Sequence, residues 1–159
     1  MSILSWLFRL RPRYEVSGYR TLYTALVSRL TRTGVQVGGT SNYPRVEIHS
    51  IREGERLDKE GALRQVNFTV ESISNVSLAD AVTMNEDNLR LLTEAELTVD
   101  GWDVLEMAPV QLQDMVESSD TQKILYRLLQ EMTVFLLKKK PEPEPAPDPE
   151  HDPGEETQE

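Results

Sequence analysis

Cysteine is absent from this chain, which excludes disulfides, thiolate zinc sites and cysteine nucleophiles and suits a reducing cytoplasm. Histidine is almost as scarce: there are two, His49 and His151. Neither has a second histidine at ligand spacing, and zinc sites want three or four protein ligands. No apolar run reaches the ~20 residues that a bilayer-crossing helix needs. The Gly38-Gly39 pair lacks the spacing and the lysine of a phosphate-binding loop, and no serine sits in a nucleophile-elbow setting. Acidic pairs such as Glu94/Glu96 and Glu117/Asp120 read as solvated turn residues, because a hard cation needs six or more oxygens on a shaped loop. The chain is therefore expected not to be an enzyme, with no cofactor and no metal.

What is present is a 159-residue chain, 38% hydrophobic and 28% charged, with a net charge of −10. That length makes one domain with room for a single apolar core. The charge divides unevenly. Residues 141–159 carry eight acids and no lysine or arginine, which leaves 17 basic and 19 acidic residues in 1–140. The body is nearly neutral, so its charge argues for no nucleic-acid site. In the tail, proline at 141, 143, 145, 147 and 149 blocks helix and sheet and favours an extended chain. With so few apolar residues to bury, 141–159 reads as a disordered acidic tail.

At the other end, residues 1–13 mix Ile3, Leu4, Trp6, Leu7, Phe8 and Leu10 with Arg9, Arg11 and Arg13. One reading is a membrane-surface anchor. The other is an arm that packs on a neighbouring subunit or on its own domain. A secretory signal does not fit, since the arginines follow the apolar residues and no small-residue cleavage site appears.

Between these ends the elements follow from periodicity. Tyr19, Leu22, Tyr23, Leu26, Val27 and Leu30 recur at spacings of three and four, which predicts a helix over 14–33. Gly34 stands where a left-handed C-terminal residue is expected. Residues 35–43 read as a loop. Val46 and Ile48 alternate with Glu47 and His49, and Val66, Phe68 and Val70 alternate with Asn67, Thr69 and Glu71, so strands are expected at 45–52 and 63–74. Ser77 opens a second helix in a reciprocal cap with Asp80. Its apolar stripe (Leu78, Ala81, Val82, Leu89, Leu92) is interrupted by the polar run 85–88, and its end is expected near 93–97. Asp100-Gly101 turns the chain into an extended segment, 102–116, where Pro109 argues for an edge or a bulge. Residues 117–122 read as a polar turn. The segment 123–137 is ambiguous: its periodicity favours helix, while Thr133-Val134-Phe135 and the need for a strand partner favour β. Strand is the expectation here.

The link over 53–62 is long for a tight hairpin turn, so either the strands extend into it or it projects as a tip. Arg52, Glu53, Glu55, Arg56, Asp58, Lys59 and Glu60 bring both charge signs into it. They read either as a solvated tip or as an interface toward a neighbouring ring or tube.

The order of helix, hairpin, helix and paired strands over 14–137, with its Y-P-R-V-E-I stretch, its long strand over 65–72 and its second hairpin after a capped helix, resembles the tail-completion and tail-terminator proteins of long-tailed bacteriophages. The N-terminal arm and the acidic tail fall outside that layout. The resemblance implies an α+β fold, an antiparallel four-stranded sheet with two helices on one face. It also implies a ring, commonly hexameric, that caps the tail tube, ends its polymerisation and offers an interface for head-connector proteins. Its partners would be other copies of itself, the tail tube protein and the connector, without sequence-specific nucleic-acid contact. It would sit at the tail neck of the virion, after assembly in the host cytoplasm. A second expectation is an adaptor or membrane-peripheral protein with 1–13 as anchor and the tail as docking segment. A third is a nucleic-acid mimic using its acidic tail.

Overall fold

The computed structural model describes residues 18–39, 42–94, 96–118 and 123–140. The expectations for the arm (1–13) and the acidic tail (141–159) lie outside these residues, as do Asp120 and His151. Helix α1 runs Gly18–Leu30 and tightens into a 3₁₀ turn, Thr31–Thr33. Gly34 closes it at φ 76°, and its N–H donates to the Thr31 carbonyl at 3.1 Å, a backbone region where glycine carries no Cβ penalty. The remaining elements are β1 (Gln36–Val37), β2 (Arg45–Arg56), β3 (Leu63–Ser74), α2 (Leu78–Thr93), β4 (Trp102–Ser118) and β5 (Ile124–Lys138).

The strands form one five-stranded sheet in the order β1-β2-β3-β5-β4. This corrects the expected four-stranded antiparallel sheet, although the fold is α+β. The added strand is β1, which lies parallel to β2 in the registers Gln36↔Arg45 and Val37↔Val46. Its residues fall inside the segment read as a loop. Two residues are too few to show an alternation, and the Gly38 N–H donating to the Val46 carbonyl at 2.9 Å continues the pairing from a glycine. The 123–137 ambiguity resolves to strand: β5 sits between β3 and β4, and both neighbours satisfy its backbone. A segment inserted at the middle of a sheet is apolar on one face and covered on both sides, so a helical spacing of leucines carries little weight there.

The helices cover one face. On it Val66, Phe68 and Val70 of β3 stand opposite Val134, Met132 and Gln130 of β5. Leu22, Leu26 and Leu30, one helical stripe of α1, pack into this layer with Val46, Leu92, Val99 and Trp102. The polar run of α2 is explained by a polar layer at the far end of the sheet. Asn88 is buried and donates from Nδ2 to the buried Ser72 Oγ at 3.1 Å. Most buried polar groups are paired in this way; Asn85, buried in the same run, keeps an unpartnered Oδ1.

Half of the reciprocal cap is as expected: Ser77 Oγ accepts from the Asp80 amide at 3.1 Å. The Asp80 carboxylate turns elsewhere, accepting from Ser74 Oγ at 2.5 Å, so it ties the helix start to the end of β3. Two substitutions test this framework by urea denaturation. Phe68→Ala is expected to destabilise by about 4 kcal/mol through the cavity it leaves, and Ser77→Ala by about 1 kcal/mol through the lost cap.

Candidate interaction surface

The sheet has two edges, and they are built differently. On the β2 side, β1 covers only the level of Arg45 and Val46. Beyond it the β2 register shifts twice, between His49 and Arg52 and again between Glu53 and Arg56, with Ser50 at φ 55°. Bulges of this kind twist an edge away from another chain. At the second irregularity Gly54 lies against Gln65, whose side-chain carbon would stand 2.9 Å from any added Cβ.

On the opposite side, β4 has no outer strand among the described residues. Its first half is irregular, with register shifts between Val104 and Glu106 and between Pro109 and Gln111. The second shift follows from Pro109, which brings no N–H to a ladder. Gln130, buried on β5, repairs it by donating from Nε2 to the Gln111 carbonyl at 2.9 Å. From Gln111↔Glu131 to Ser118↔Ile124 the register then runs unbroken. Every residue of 109–118 is exposed. Val110, Leu112, Met115 and Val116 are among the large apolar side chains left in solvent. The regular half thus leaves an outer backbone edge with Leu112, Met115 and Val116 set among five polar residues, and an unpaired edge is a template for another strand.

The sheet face turned away from the helices gathers charged side chains alongside Ile73 and Leu125, both buried. Glu71 is 5% exposed and stands between two basic groups. Its Oε2 lies 2.8 Å from His49 Nε2, and its Oε1 accepts from Arg127 Nη1 at 3.0 Å. Arg127 Nη2 lies 2.7 Å from Glu117, and Arg52 bridges to Glu131 at 2.8 Å. Polar and ionic contacts therefore link β2, β3, β5 and β4 across this face. No described group of three His, Asp or Glu side chains converges as a metal site would. The hollow on this face, lined by Thr69, Gln111, Gln113, Leu129 and Glu131, holds about 110 Å³, well under the ~300 Å³ of small-molecule sites. A larger groove of about 440 Å³ beside α1 is lined by Thr21, Thr24, Ala25, Ser28 and Thr98 with Arg20 and Asp100.

The mixed-charge link is shorter than its sequence suggests, because β2 continues to Arg56 and the open turn is only 57–62. Arg52, Glu53, Glu55 and Arg56 are thus strand residues, and Arg52 is engaged with Glu131. Asp58 holds the turn: its Oδ2 accepts from the amides of Ala62 and Leu63, each at 3.0 Å. Lys138 N–H donates to the Ala62 carbonyl at 2.8 Å, fastening the turn to the end of β5. Lys59 and Glu60 remain at its exposed tip. The structure brings the seven residues to one end of one hairpin without converging them on a site. His49, expected on a strand, lies on β2 and is paired with Glu71. Glu94 is the C-terminal cap of α2, where its N–H donates to the Arg90 carbonyl. Glu96 accepts from Arg29 through its backbone carbonyl.

Glu53 also meets α1. The Tyr19 hydroxyl is held above its ordinary pKa of 10.0, first by burial and then by the Glu53 carboxylate to which it hydrogen-bonds. A phenol whose folded pKa is raised contributes stability that is intact below its unfolded pKa and lost as pH rises through the folded value. Stability measured across pH is therefore expected to be insensitive to Tyr19 below about 9 and to fall above about 10, with Tyr19→Phe removing that part of the fall. For the open face, Glu71→Gln leaves two basic groups without their shared carboxylate. It is expected to lower the unfolding free energy by about 2 kcal/mol in urea titrations.

No family model matches this chain, and no curated protein matches it. Among solved structures, a chain of the virion of a native gene transfer agent particle has a similar fold, with a TM-score of 0.53 and 16% sequence identity. The likeness covers 76% of this chain and 91% of that one.

Proposed function

We propose that this chain is a structural subunit of a phage-like virion, one that forms a ring capping the tail tube and presenting the surface that joins tail to head. The observation that carries the reading is the likeness to a virion chain over 91% of that chain's length. The element order, which resembles tail-terminator proteins, is what narrows the reading from a virion subunit to a tail cap. The architecture is also suited to the task. A ring needs a surface that recruits another copy without closing into a two-fold dimer, and such head-to-tail contacts arise between unlike patches. Here the two sheet edges are unlike, one regular over 111–118 with three exposed apolar side chains, the other bulged twice and partly covered by β1.

The hairpin turn over 57–62 stands as the contact to the tail tube. It projects Lys59 and Glu60 from a backbone held by Asp58. Fixed geometry with two opposite charges at the tip favours selection of a complementary surface over general adhesion. The remaining charged positions, Arg52, Glu53, Glu55 and Arg56, support the turn from β2. The connector contacts the ring's other side, and DNA passes without base-specific recognition.

Light scattering on the full chain tests the ring, with a mass of several protomers expected. A strict monomer, both at high concentration and in the presence of the tube protein, contradicts it. In the same series the double reversal Lys59→Glu with Glu60→Lys is expected to leave the fold's stability within about 0.5 kcal/mol, as exposed substitutions do. It should nevertheless weaken arrest of tube polymerisation.

A further inference from the structure

The regular half of the β4 edge, residues 111–118, presents apolar side chains on both of its faces. Leu112 and Val116 point to the helix side, 54% and 58% exposed, and Met115 to the opposite side, 44% exposed. A strand laid along it would cover both sets and pair the outward backbone groups. Leu112 and Val116 form the apolar set on the helix side, whereas Met115 stands among Gln111, Gln113 and Glu117 on the other, so the occupant needs one apolar face and accommodates polar groups on its second. The same stretch carries Asp114 and Glu117, so a basic flank is favoured as well.

One segment of this chain has that chemistry. Residues 3–10 hold Ile3, Leu4, Trp6, Leu7, Phe8 and Leu10, with Arg9, Arg11 and Arg13 at and beyond their end. Eight residues match the eight of the unbroken register. We propose that residues 3–10 of a neighbouring copy add as a strand to the 111–118 edge of β4, with the arginines set toward its acids.

The donor is a neighbour because of where α1 begins. Tyr19 is fixed at Glu53, and Glu53 shares a row across the sheet with Val66, Val134 and Met107. From that level the regular half of β4 lies about 14 Å across the sheet and about 14 Å further along it, by ordinary strand spacings. Residues 11–17 span at most about 25 Å when fully extended. Within one chain this leaves almost no slack, and the straight path runs through the layer occupied by the helices. From the next subunit the arm reaches the edge around the outside. The inference rests on the self-association proposed above and names the surface and segment that carry it.

Because the chain has no cysteine, engineered disulfides report the contact without background. The full chain is prepared with Ser5→Cys and either Gln113→Cys or Asp114→Cys, which sample the two faces of β4. The pair Ser5→Cys with Glu94→Cys, at the exposed end of α2, serves as control. Oxidation is expected to give reducible dimers and higher multimers from at least one β4 pair. Their yield should exceed the control on the order of tenfold, as a raised local concentration requires. Links no more frequent than the control, or confined within single chains, overturn the proposal. Native mass on the same samples separates it from the ring. An intact oligomer without β4 links refutes the arm and leaves the ring standing. Linked multimers that form open chains support the arm and refute the ring. Monomers throughout refute both.

Discussion

The structure depends on the pairing of β3 with β5, which runs from Leu63↔Leu137 to Ser74↔Tyr126 without a register shift. Side chains alternate with a strict period of two along a strand, so a register kept over this length commits every residue of both strands to a face. Val66, Phe68, Val70, Met132 and Val134 are thereby assigned to the helices. Glu71, Arg127, Glu131 and Thr133 are assigned to the open face, where the carboxylates and guanidinium groups find one another. A slip of one residue would bury Glu71 and Arg127 under α1 and α2 and expose Phe68. The irregularities are all placed outside this pair, in β2 and in the first half of β4.

That placement separates what is rigid from what is available. The centre of the sheet is saturated on both edges by its neighbours. One outer edge is short-covered and bulged, and the other becomes regular only after Pro109. The regular stretch is also where the chain leaves apolar side chains in solvent. Leu112, Met115 and Val116 interrupt the polar residues Gln111, Gln113, Asp114, Glu117 and Ser118 of that edge, and a monomer that needed no partner would gain from polar side chains at those three positions too. The hairpin turn at the opposite end is polar, tied down by Asp58, and differs in kind: it offers charge on a fixed backbone, not backbone for pairing.

Much of this could be read from residues alone. The alternation in 45–52 and 63–74 reports a half-buried hairpin, and Ser77 followed by Asp80 reports a helix start. Pro109 correctly marks an edge. Where reading failed, the reason is physical. Gln36 and Val37 form a strand through backbone bonds to β2, and two residues carry no period to detect. Leucines in 124–137 fall at helical spacing because β5 carries apolar side chains on both faces, Leu128 toward the helices and Leu125 and Leu129 away from them, so its apolar residues do not repeat every second position. The second half of the capping box went to Ser74, a residue whose proximity depends on tertiary packing. Glu71 and Arg127 stand 56 residues apart, and only the β3–β5 register brings them together; no local signal marks the pair.

The proposed function turns on the regular half of β4 acting as an assembly surface. Amide hydrogen exchange on the full chain, compared between dilute and concentrated protein, tests it most directly. The outward amides of 111–118 are expected to exchange freely when dilute and to become protected as the mass rises, while those of β3 stay protected throughout. A rise in mass with these amides still exchanging freely would contradict the claim.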